Sequence, residues 1–273
     1  MNTLEIILPL RNPTGVLEQT VMSLTGQSDR RFSVLLSDNH STQGGELIEA
    51  AAAQFQAAGI AIRRVRPPFE LGRVEHWNWA HHEAAAEWTK PVFAGDWLEK
   101  NYVEKVRAAS QANPECRYIY ASFVVHRQNA DPEIVRGIWA GKFETAAYME
   151  RAILRYGMQF GPPSAAAYER EVFIILGGYP TALPICSDNL LFCTMASRFG
   201  ALGLMEPLCH FNIHGARFST NLHQRRKDTL RETLTFTLML GYRAWADKAS
   251  FSKTVFARML LRETRRHLFQ KRT

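Results

Sequence analysis

Short apolar runs alternate with segments of helical apolar spacing through the first 110 residues. The runs suit buried strands because they are short, aliphatic and closed by polar or turn-forming residues. They predict strands at residues 4–8, 32–36, 60–65 and 91–94, the first closed by Pro9. The segments between them predict helices around residues 16–24, 47–55, 77–88 and 102–106, with Asn12 and Pro13 as the cap and first-turn proline of the first helix.

This alternation predicts α/β architecture, in which helices cover both faces of a mostly parallel central sheet. In the second half the pattern predicts a strand at 117–126, a helix at 143–156, a turn at 161–164, a short helix at 171–176 and a helix at 189–199. Beyond His214 the pattern is mainly helical. We therefore expect one α/β domain over residues 1–220 and a helical C-terminal extension over residues 221–273.

Composition changes this interpretation little. The chain has 273 residues, of which 46% are apolar and 22% charged, as in an ordinary globular protein. No apolar run is long enough to predict a membrane-spanning helix. The four cysteines form no Cys-x-x-Cys pair and are too sparse for a disulfide scaffold, so we expect reduced thiols and a cytoplasmic location.

The net charge of +7 is concentrated near the C-terminus, where residues 258–272 predict a basic amphipathic helix. Such a helix can lie on an anionic membrane surface, here the inner face of the membrane, or pack its apolar stripe on the domain. Both interpretations remain open. Nucleic acid is not expected as a partner, because the chain has no recognition motif.

Polar residues follow the first two predicted strands, at the edge of the sheet where α/β proteins bind ligands. Neither a Gly-x-Gly-x-x-Gly motif nor a phosphate loop is present. Pro9, Arg11 and Asn12 stand after the first strand, and Asp38 to Ser41 after the second. Asp38 could accept hydrogen bonds from a ribose or a base N–H, and a turn role suits it equally.

Two further aspartates are candidates for chemistry. Asp96 follows the fourth strand, where a single carboxylate suffices to hold a divalent ion that takes its other ligands from phosphate and water. It could instead cap a helix that starts near Glu99. Asp188 precedes the helix at 189–199 and could be a general base toward an acceptor hydroxyl, or another cap.

Four histidines are candidate metal ligands. His81 and His82 are adjacent, so on a helix they point in different directions, and we expect them on its surface. His210 and His214 share one face of a predicted strand. We expect His214 to bind the metal ion or the diphosphate.

At these residues the chain resembles family 2 glycosyltransferases of the GT-A fold, over residues 4–219. Residues 6–12, with Pro9 and Asn12, are similar to the first strand and turn of that family, and Asp38 to Ser41 are similar to its Asp-Asn-x-Ser segment. The resemblance implies that Asp38 contacts the base of the nucleotide. Residues 206–208 and 213–214 resemble the stretch that closes over the diphosphate.

Residues 88–98 resemble the segment that ends in the acidic metal motif of the family. Two or three acids are usual there, and this chain has Ala94-Gly95-Asp96, in which Asp96 matches the last acid. Residues 161–164, 177–179 and 187–188 resemble the acceptor side, where Asp188 matches the base and Ser187 replaces the acid that usually precedes it.

The resemblance implies inverting transfer of a sugar from a UDP-, GDP- or dTDP-linked donor to a glycan or lipid-linked acceptor, in polysaccharide or glycan synthesis. Asp188 is then the base. Asp96 and His214 hold Mg²⁺ or Mn²⁺, and Pro9, Arg11, Asn12, Asp38 and Ser41 bind the nucleotide. The alternative is a non-catalytic protein of the same fold that binds nucleotide sugars or acts as a scaffold.

Overall fold

The computed structural model describes residues 1, 3–137, 141–156 and 160–213, with residues 231, 232, 234, 235, 238, 239 and 261. The strands are β1 (Leu4–Leu10), β2 (Ser33–Asp38), β3 (Ala61–Val65), β4 (Trp88–Pro91), β5 (Trp97–Leu98), β6 (Tyr118–Arg127), β7 (Glu133–Val135), β8 (Phe143–Glu144), β9 (Ala166–Glu169) and β10 (Ala201–Ile213). The helices are α1 (Val16–Thr25), α2 (Gly45–Ala57), α3 (Arg73–Glu83), α4 (Tyr102–Ala112), α5 (Ala146–Tyr156), α6 (Arg170–Ile175) and α7 (Ser187–Phe199). A 3₁₀ turn at Pro163–Ala165 leads into β9.

One sheet runs through the domain in the order β3-β2-β1-β4-β9-β6-β10-β5. Strands β1 to β4 are parallel, β9 is antiparallel to both β4 and β6, and β10 is parallel to β6. The predicted α/β architecture is confirmed. Because β9 reverses direction between two parallel groups, the carboxyl ends of β1, β2, β4, β6 and β10 lie along one edge of the sheet.

Apolar side chains cover both faces of this sheet, which explains why the buried strands β1 and β2 are nearly unbroken apolar runs. The core on one face includes Leu17 and Val21 of α1, Phe55 of α2 and Val103 of α4. The core on the other face takes residues from α3, α5, α6 and α7, including Met149 and Phe192. The helices therefore hold the carboxyl edge of the sheet rigidly from two sides.

Two predicted boundaries were wrong because sheet pairing decided them. Trp88, predicted at the end of a helix, is the first residue of β4, which spans Trp88–Pro91 and not the predicted residues 91–94. Trp88 pairs there with Leu4 and is buried. Pro9, predicted to end β1, lies within it and pairs with Ser37. In both cases tertiary contacts with a neighbouring strand outweighed the local pattern.

Two predicted helix caps were also wrong. Helix α1 begins at Val16 after Gly15, so Asn12 and Pro13 lie in the preceding loop. Helix α4 begins at Tyr102 after Asn101, so the interpretation of Asp96 as its cap is excluded. The two-residue strand β5 follows Asp96 instead.

Some predictions fall on residues outside the description. These are His214, the domain boundary at residue 220 and, except for Leu261, the basic segment 258–272. Within the described part of the chain, no helix combines the length and the apolar character needed to cross a bilayer.

Candidate functional site

The loops after β1 and β2 are fixed to each other at the carboxyl edge of the sheet. The backbone N–H of Asn12 donates to Ser41 Oγ at 2.9 Å, and Asn12 Oδ1 accepts from the backbone N–H of Thr42 at 2.8 Å and of Gln43 at 3.2 Å. Asn12 has a φ of 48°, a left-handed conformation that asparagine tolerates better than most residues. The structure thus brings Asn12 and Ser41 together, as the sequence predicts.

Asp38 lies at the end of β2, within the same corner. Its Oδ1 accepts from the backbone N–H of Ser41 at 3.0 Å, and its Oδ2 lies 3.7 Å from Arg66 Nε. The turn interpretation of Asp38 is therefore correct. It does not exclude ligand binding, since the Asp38 side chain is 20% exposed and each carboxylate oxygen can accept more than one hydrogen bond.

Polar contacts of the two residues next to Asp38, Ser37 and Asn39, stabilise the end of β2. Ser37 Oγ lies 2.7 Å from His76 Nε2, and burial lowers the pKa of His76 to about 4, so the ring is neutral at pH 7. The Asn39 amide donates to the carbonyl of Leu71 at 2.7 Å and accepts from its N–H at 2.9 Å. These bonds hold the segment before α3 against the end of β2.

Arg11 and Pro9, the remaining nucleotide candidates, differ in position. Arg11 lies at the rim, where Nη2 pairs with Glu70 at 2.7 Å and Nη1 donates to the carbonyl of His40. Pro9 is buried within β1, so it shapes the strand and offers a ligand little surface.

The turn after β4 encloses Asp96. Oδ2 of its carboxylate accepts a hydrogen bond from the hydroxyl of Ser164. Oδ1 accepts one from the backbone N–H of Asn212 at 3.2 Å. Thr20 of α1 fastens the turn, because its hydroxyl accepts from Gly95 N at 2.9 Å and donates to the carbonyl of Asp96 at 2.7 Å. The Asp96 side chain therefore ties β4 to β10 and to the turn before β9.

Lys90 of β4 is buried beside this carboxylate. Its ammonium donates to the carbonyl of Ser164 and lies 4.7 Å from the ring centroid of Tyr102. Burial lowers the pKa of Lys90 to about 8, while the negative charge of Asp96 acts in the opposite direction. The Lys90 ammonium and the Asp96 carboxylate thus both bind Ser164, the first at its carbonyl and the second at its hydroxyl.

The described residues do not fit a divalent metal ion in this conformation. Asp96 has no exposed surface, and both of its carboxylate oxygens accept hydrogen bonds from the protein. Among the residues that the structure describes, no group of three or more His, Cys, Asp and Glu side chains could hold an ion. Metal binding by Asp96 stays a prediction, and so does metal or diphosphate binding by His214.

Asp188 lies in the first turn of α7, whose cap is Cys186, so the interpretation of Asp188 as the cap residue is not supported. Burial raises the pKa of Asp188 to about 6, against the lowering effects of the Asn189 N–H at 2.8 Å and of the Arg73 charge. A carboxyl group with this pKa is ionised at pH 7 and can take up a proton readily, as a general base must.

Aromatic side chains connect the loop before α7 to the turn after β4. The Trp77 ring lies 4.7 Å from that of Phe93 and 5.6 Å from that of Tyr179. The guanidinium of Arg73 stacks on Trp77 at 4.5 Å and donates to the carbonyl of Pro184, in the loop before α7. The sequence indicated Trp77 only as an apolar helix position, and Arg73 and Phe93 were missed.

His81 is a correction. It was expected on the surface of α3, but it is buried and stacks on Phe173 at 4.4 Å. Its Nε2 lies 2.7 Å from the hydroxyl of Tyr168, which lies 2.9 Å from that of Tyr179. Burial lowers the pKa of His81 to about 3. His82 is exposed as expected.

Two further histidines, His126 of β6 and His210 of β10, lie side by side near the end of β10. His210 Nδ1 is 2.9 Å from His126 Nε2, and His210 Nε2 is 2.7 Å from a carboxylate oxygen of Glu99. Trp97 stacks on His210 with a ring separation of 4.7 Å. Only His210 was considered from the sequence, because Glu99, Trp97 and His126 become its neighbours through the pairing of β10 with β5 and β6.

No known family profile matches the chain. A protein of Haemophilus influenzae described as an uncharacterized glycosyltransferase is 24% identical over 236 residues, which cover 84% of this chain and 76% of that protein. The four cysteines, all within the described part of the chain, are buried and form no disulfide with one another, in agreement with the predicted thiols.

Several solved structures share the fold. Residues 1–349 of TarS from S. aureus in complex with UDP-GlcNAc give a TM-score of 0.71 at 14% identity, covering 99% of this chain and 74% of that one. The mannosyltransferase PcManGT from Pyrobaculum calidifontis, in complex with GDP-Man and Mn²⁺, gives 0.61 at 16% identity, covering 97% and 70%. The chain therefore has the GT-A glycosyltransferase fold.

Proposed function

We propose that this protein is an inverting glycosyltransferase that moves a sugar from a nucleotide-diphosphate sugar to an acceptor hydroxyl. The observation that carries the proposal is Asp188, whose pKa burial raises to about 6. A carboxylate that is half-buried and shielded from water costs free energy at neutral pH, so a fold retains it where the charge has a use. Asp188 also stands where the family resemblance expects the base.

In the proposed reaction Asp188 takes the proton from the acceptor hydroxyl. The acceptor oxygen then bonds to the anomeric carbon from the face opposite the nucleotide, and the bond from that carbon to the diphosphate oxygen breaks. One displacement inverts the configuration through an oxocarbenium-like transition state. The electron pair leaves with the nucleoside diphosphate, and the proton stays on Asp188 until solvent removes it.

The nucleotide is proposed to bind in the corner formed by Asn12, Asp38 and Ser41. Asp38 offers carboxylate oxygens to a base N–H or a ribose hydroxyl, and its bond from the Ser41 N–H fixes its orientation. Arg11 stands at the rim with positive charge for the phosphates, and Pro9 supports the backbone. Two similar folds were solved with UDP-GlcNAc and with GDP-Man, which supports a UDP-, GDP- or dTDP-linked donor.

The resemblance also implies Mg²⁺ or Mn²⁺, and the related mannosyltransferase structure contains Mn²⁺. If Asp96 and His214 held such an ion, it would neutralise charge on the leaving diphosphate. Asp96 is enclosed, however, so the proposed mechanism uses no step through a metal ion.

The acceptor is proposed to be a glycan or a lipid-linked sugar in polysaccharide or glycan synthesis. A lipid-linked acceptor agrees with a cytoplasmic protein whose basic segment 258–272 binds the inner face of the membrane. Flotation with anionic vesicles at low salt tests this part separately, because electrostatic attachment weakens as salt is added. An absence of vesicle binding at low salt would contradict it.

A screen of nucleotide sugars by thermal shift tests the donor class, because a ligand that binds the native state raises its melting temperature. At least one donor should raise the melting temperature, and the shift should fall in Asp38→Ala and persist in Glu49→Gln, a variant on the exposed face of α2. If no donor raises it, the proposal fails. A donor that binds without ever being cleaved would favour the non-catalytic alternative.

A further inference from the structure

The turn after β4 is built around a glycine. Gly95 has a φ of 94°, a conformation that residues with a side chain rarely adopt. The Thr20 hydroxyl accepts a hydrogen bond from the N–H of Gly95 and donates one to the carbonyl of Asp96. The N–H of Asp96 closes the turn by donating to the carbonyl of Phe93 at 2.9 Å. A second acid at position 95 would strain this backbone. The turn therefore presents a single carboxylate, that of Asp96.

That carboxylate is occupied by the protein. Ser164 and the backbone of Asn212 donate to its two oxygens, and no surface of Asp96 reaches solvent. A divalent ion would have to displace these donors and find its other ligands in an enclosed space. The hydrogen bonds from Ser164 and Asn212 instead suit a carboxylate that stabilises the folded protein.

Lys90 supplies the opposite charge. It is fully buried, and its ammonium binds the carbonyl of Ser164, the residue whose hydroxyl binds Asp96. Both charged groups thus converge on Ser164 from neighbouring segments, and the charge of Asp96 favours the ammonium form of Lys90. Burial of a charge is costly unless the charge is paired and hydrogen-bonded.

We propose that Lys90 and Asp96 form an internal charge pair that replaces the acidic metal motif, so that the donor binds independently of divalent metal ions. Asp96 is then a structural residue. Positive charge for the diphosphate comes from arginines at the same edge of the sheet, namely Arg11, Arg66 and Arg73. This inference rests on the proposed function, because it concerns the binding of the same donor.

Calorimetry with UDP, GDP and dTDP, each in EDTA and in Mn²⁺, tests the metal requirement on the full chain. The dissociation constant of the nucleotide that binds should change less than about threefold between the two conditions. Tightening by more than about tenfold in Mn²⁺ would overturn the inference and leave the proposed function standing. If none of the three nucleotides binds in either condition, the proposed function and the statement about donor binding fall together.

The charge pair itself is tested without any ligand by a double-mutant cycle on thermal stability. Asp96→Asn keeps the shape of the side chain and removes its charge, and Lys90→Met keeps most of the length. Each single variant should melt lower than the parent, because it removes the opposite charge from a group that stays buried. The double variant should melt at a higher temperature than expected from adding the decreases in melting temperature of the two single variants. Strictly additive losses would overturn the pair.

Discussion

Asn78 of α3 binds both backbone polar groups of Tyr179. Its Nδ2 donates to the carbonyl of Tyr179 at 2.8 Å, and its Oδ1 accepts from the N–H of Tyr179 at 2.8 Å. This pair joins α3 to the loop that leads to Asp188, across 101 residues of sequence. The position of the proposed base therefore depends on a side chain of α3.

Replacement of Asn78 by alanine should loosen this connection. Two partly buried backbone groups of Tyr179 lose their partner, which should cost about 2 kcal/mol in unfolding free energy. The rate of sugar transfer should fall further than stability alone explains, because Asp188 loses its support. Chemical denaturation and initial rates measure both effects. Gln54→Ala on the exposed face of α2 is the control, and equal behaviour of the two variants would contradict the role of Asn78.

Asp188→Asn should lower the rate of transfer by about 100-fold or more, because asparagine cannot accept the acceptor proton. In the parent, kcat/KM should rise with pH and level off above an apparent pKa of about 6, because burial raises the pKa of Asp188 to about 6. Initial rates between about pH 5 and 8 measure this. If Asp188→Asn kept the parental rate, or if kcat/KM of the parent did not rise with pH in this range, Asp188 would not be the base.

The same substitution should stabilise the protein at neutral pH. Because the folded pKa of Asp188 is raised from 3.8 to about 6, the native state holds the proton more tightly than the unfolded state, and stability falls as pH rises from about 4 to 6. An asparagine side chain at this position has no such penalty, so Asp188→Asn should gain roughly 1–3 kcal/mol at pH 7 relative to pH 4. Urea unfolding at the two pH values gives the difference. Equal pH dependence in both proteins would contradict it.

Asp29 should show the opposite pH dependence. Hydrogen bonds from Arg31 and the charge of Arg107 hold the pKa of Asp29 at about 2, in spite of its burial. The stability that this supplies is present above about pH 4 and is lost as pH falls from about 4 to 2. Asp29→Asn should therefore cost about 2 kcal/mol at pH 7 and little at pH 2, as measured by denaturation. A cost that does not change with pH would show that the charge of Asp29 has no part in it.

Nucleotide affinity should depend on Asp38 and Ser41. Asp38→Asn should weaken binding of the nucleoside diphosphate about tenfold, because one acceptor oxygen becomes a donor. Ser41→Ala should have a smaller effect, since it removes the hydroxyl that accepts from the N–H of Asn12. Calorimetry measures both, with Glu49→Gln as the control. Unchanged affinity in Asp38→Asn would place the nucleotide elsewhere.

The sequence predicted the parts of the fold that local patterns control. Apolar runs located β1, β2 and β6 within two residues at each end, because buried parallel strands are mostly apolar. The edge strand β3 was located equally well, although it is mostly exposed and contains Arg63 and Arg64. Trp88 was misassigned because its strand is short and depends on pairing with Leu4. No local pattern records that pairing.

The sequence indicated which candidate residues meet only where they follow the ends of adjacent strands. Asn12, Asp38 and Ser41 come together because their loops belong to adjacent parallel strands. The stacking of Arg73 on Trp77 could not be predicted, since it depends on how α3 packs beside the loop before α7. The burial of His81 escaped prediction for a similar reason, because its partner Tyr168 lies 87 residues away.

The most direct test of the central claim is the release of nucleoside diphosphate from the donor that binds, in the parent and in Asp188→Asn. The parent should release it, slowly to water and faster with the correct acceptor. Asp188→Asn should bind the same donor with similar affinity and show no acceptor-stimulated release. Acceptor-stimulated release by Asp188→Asn at the parental rate, or a parent that binds no nucleotide sugar, would contradict the account.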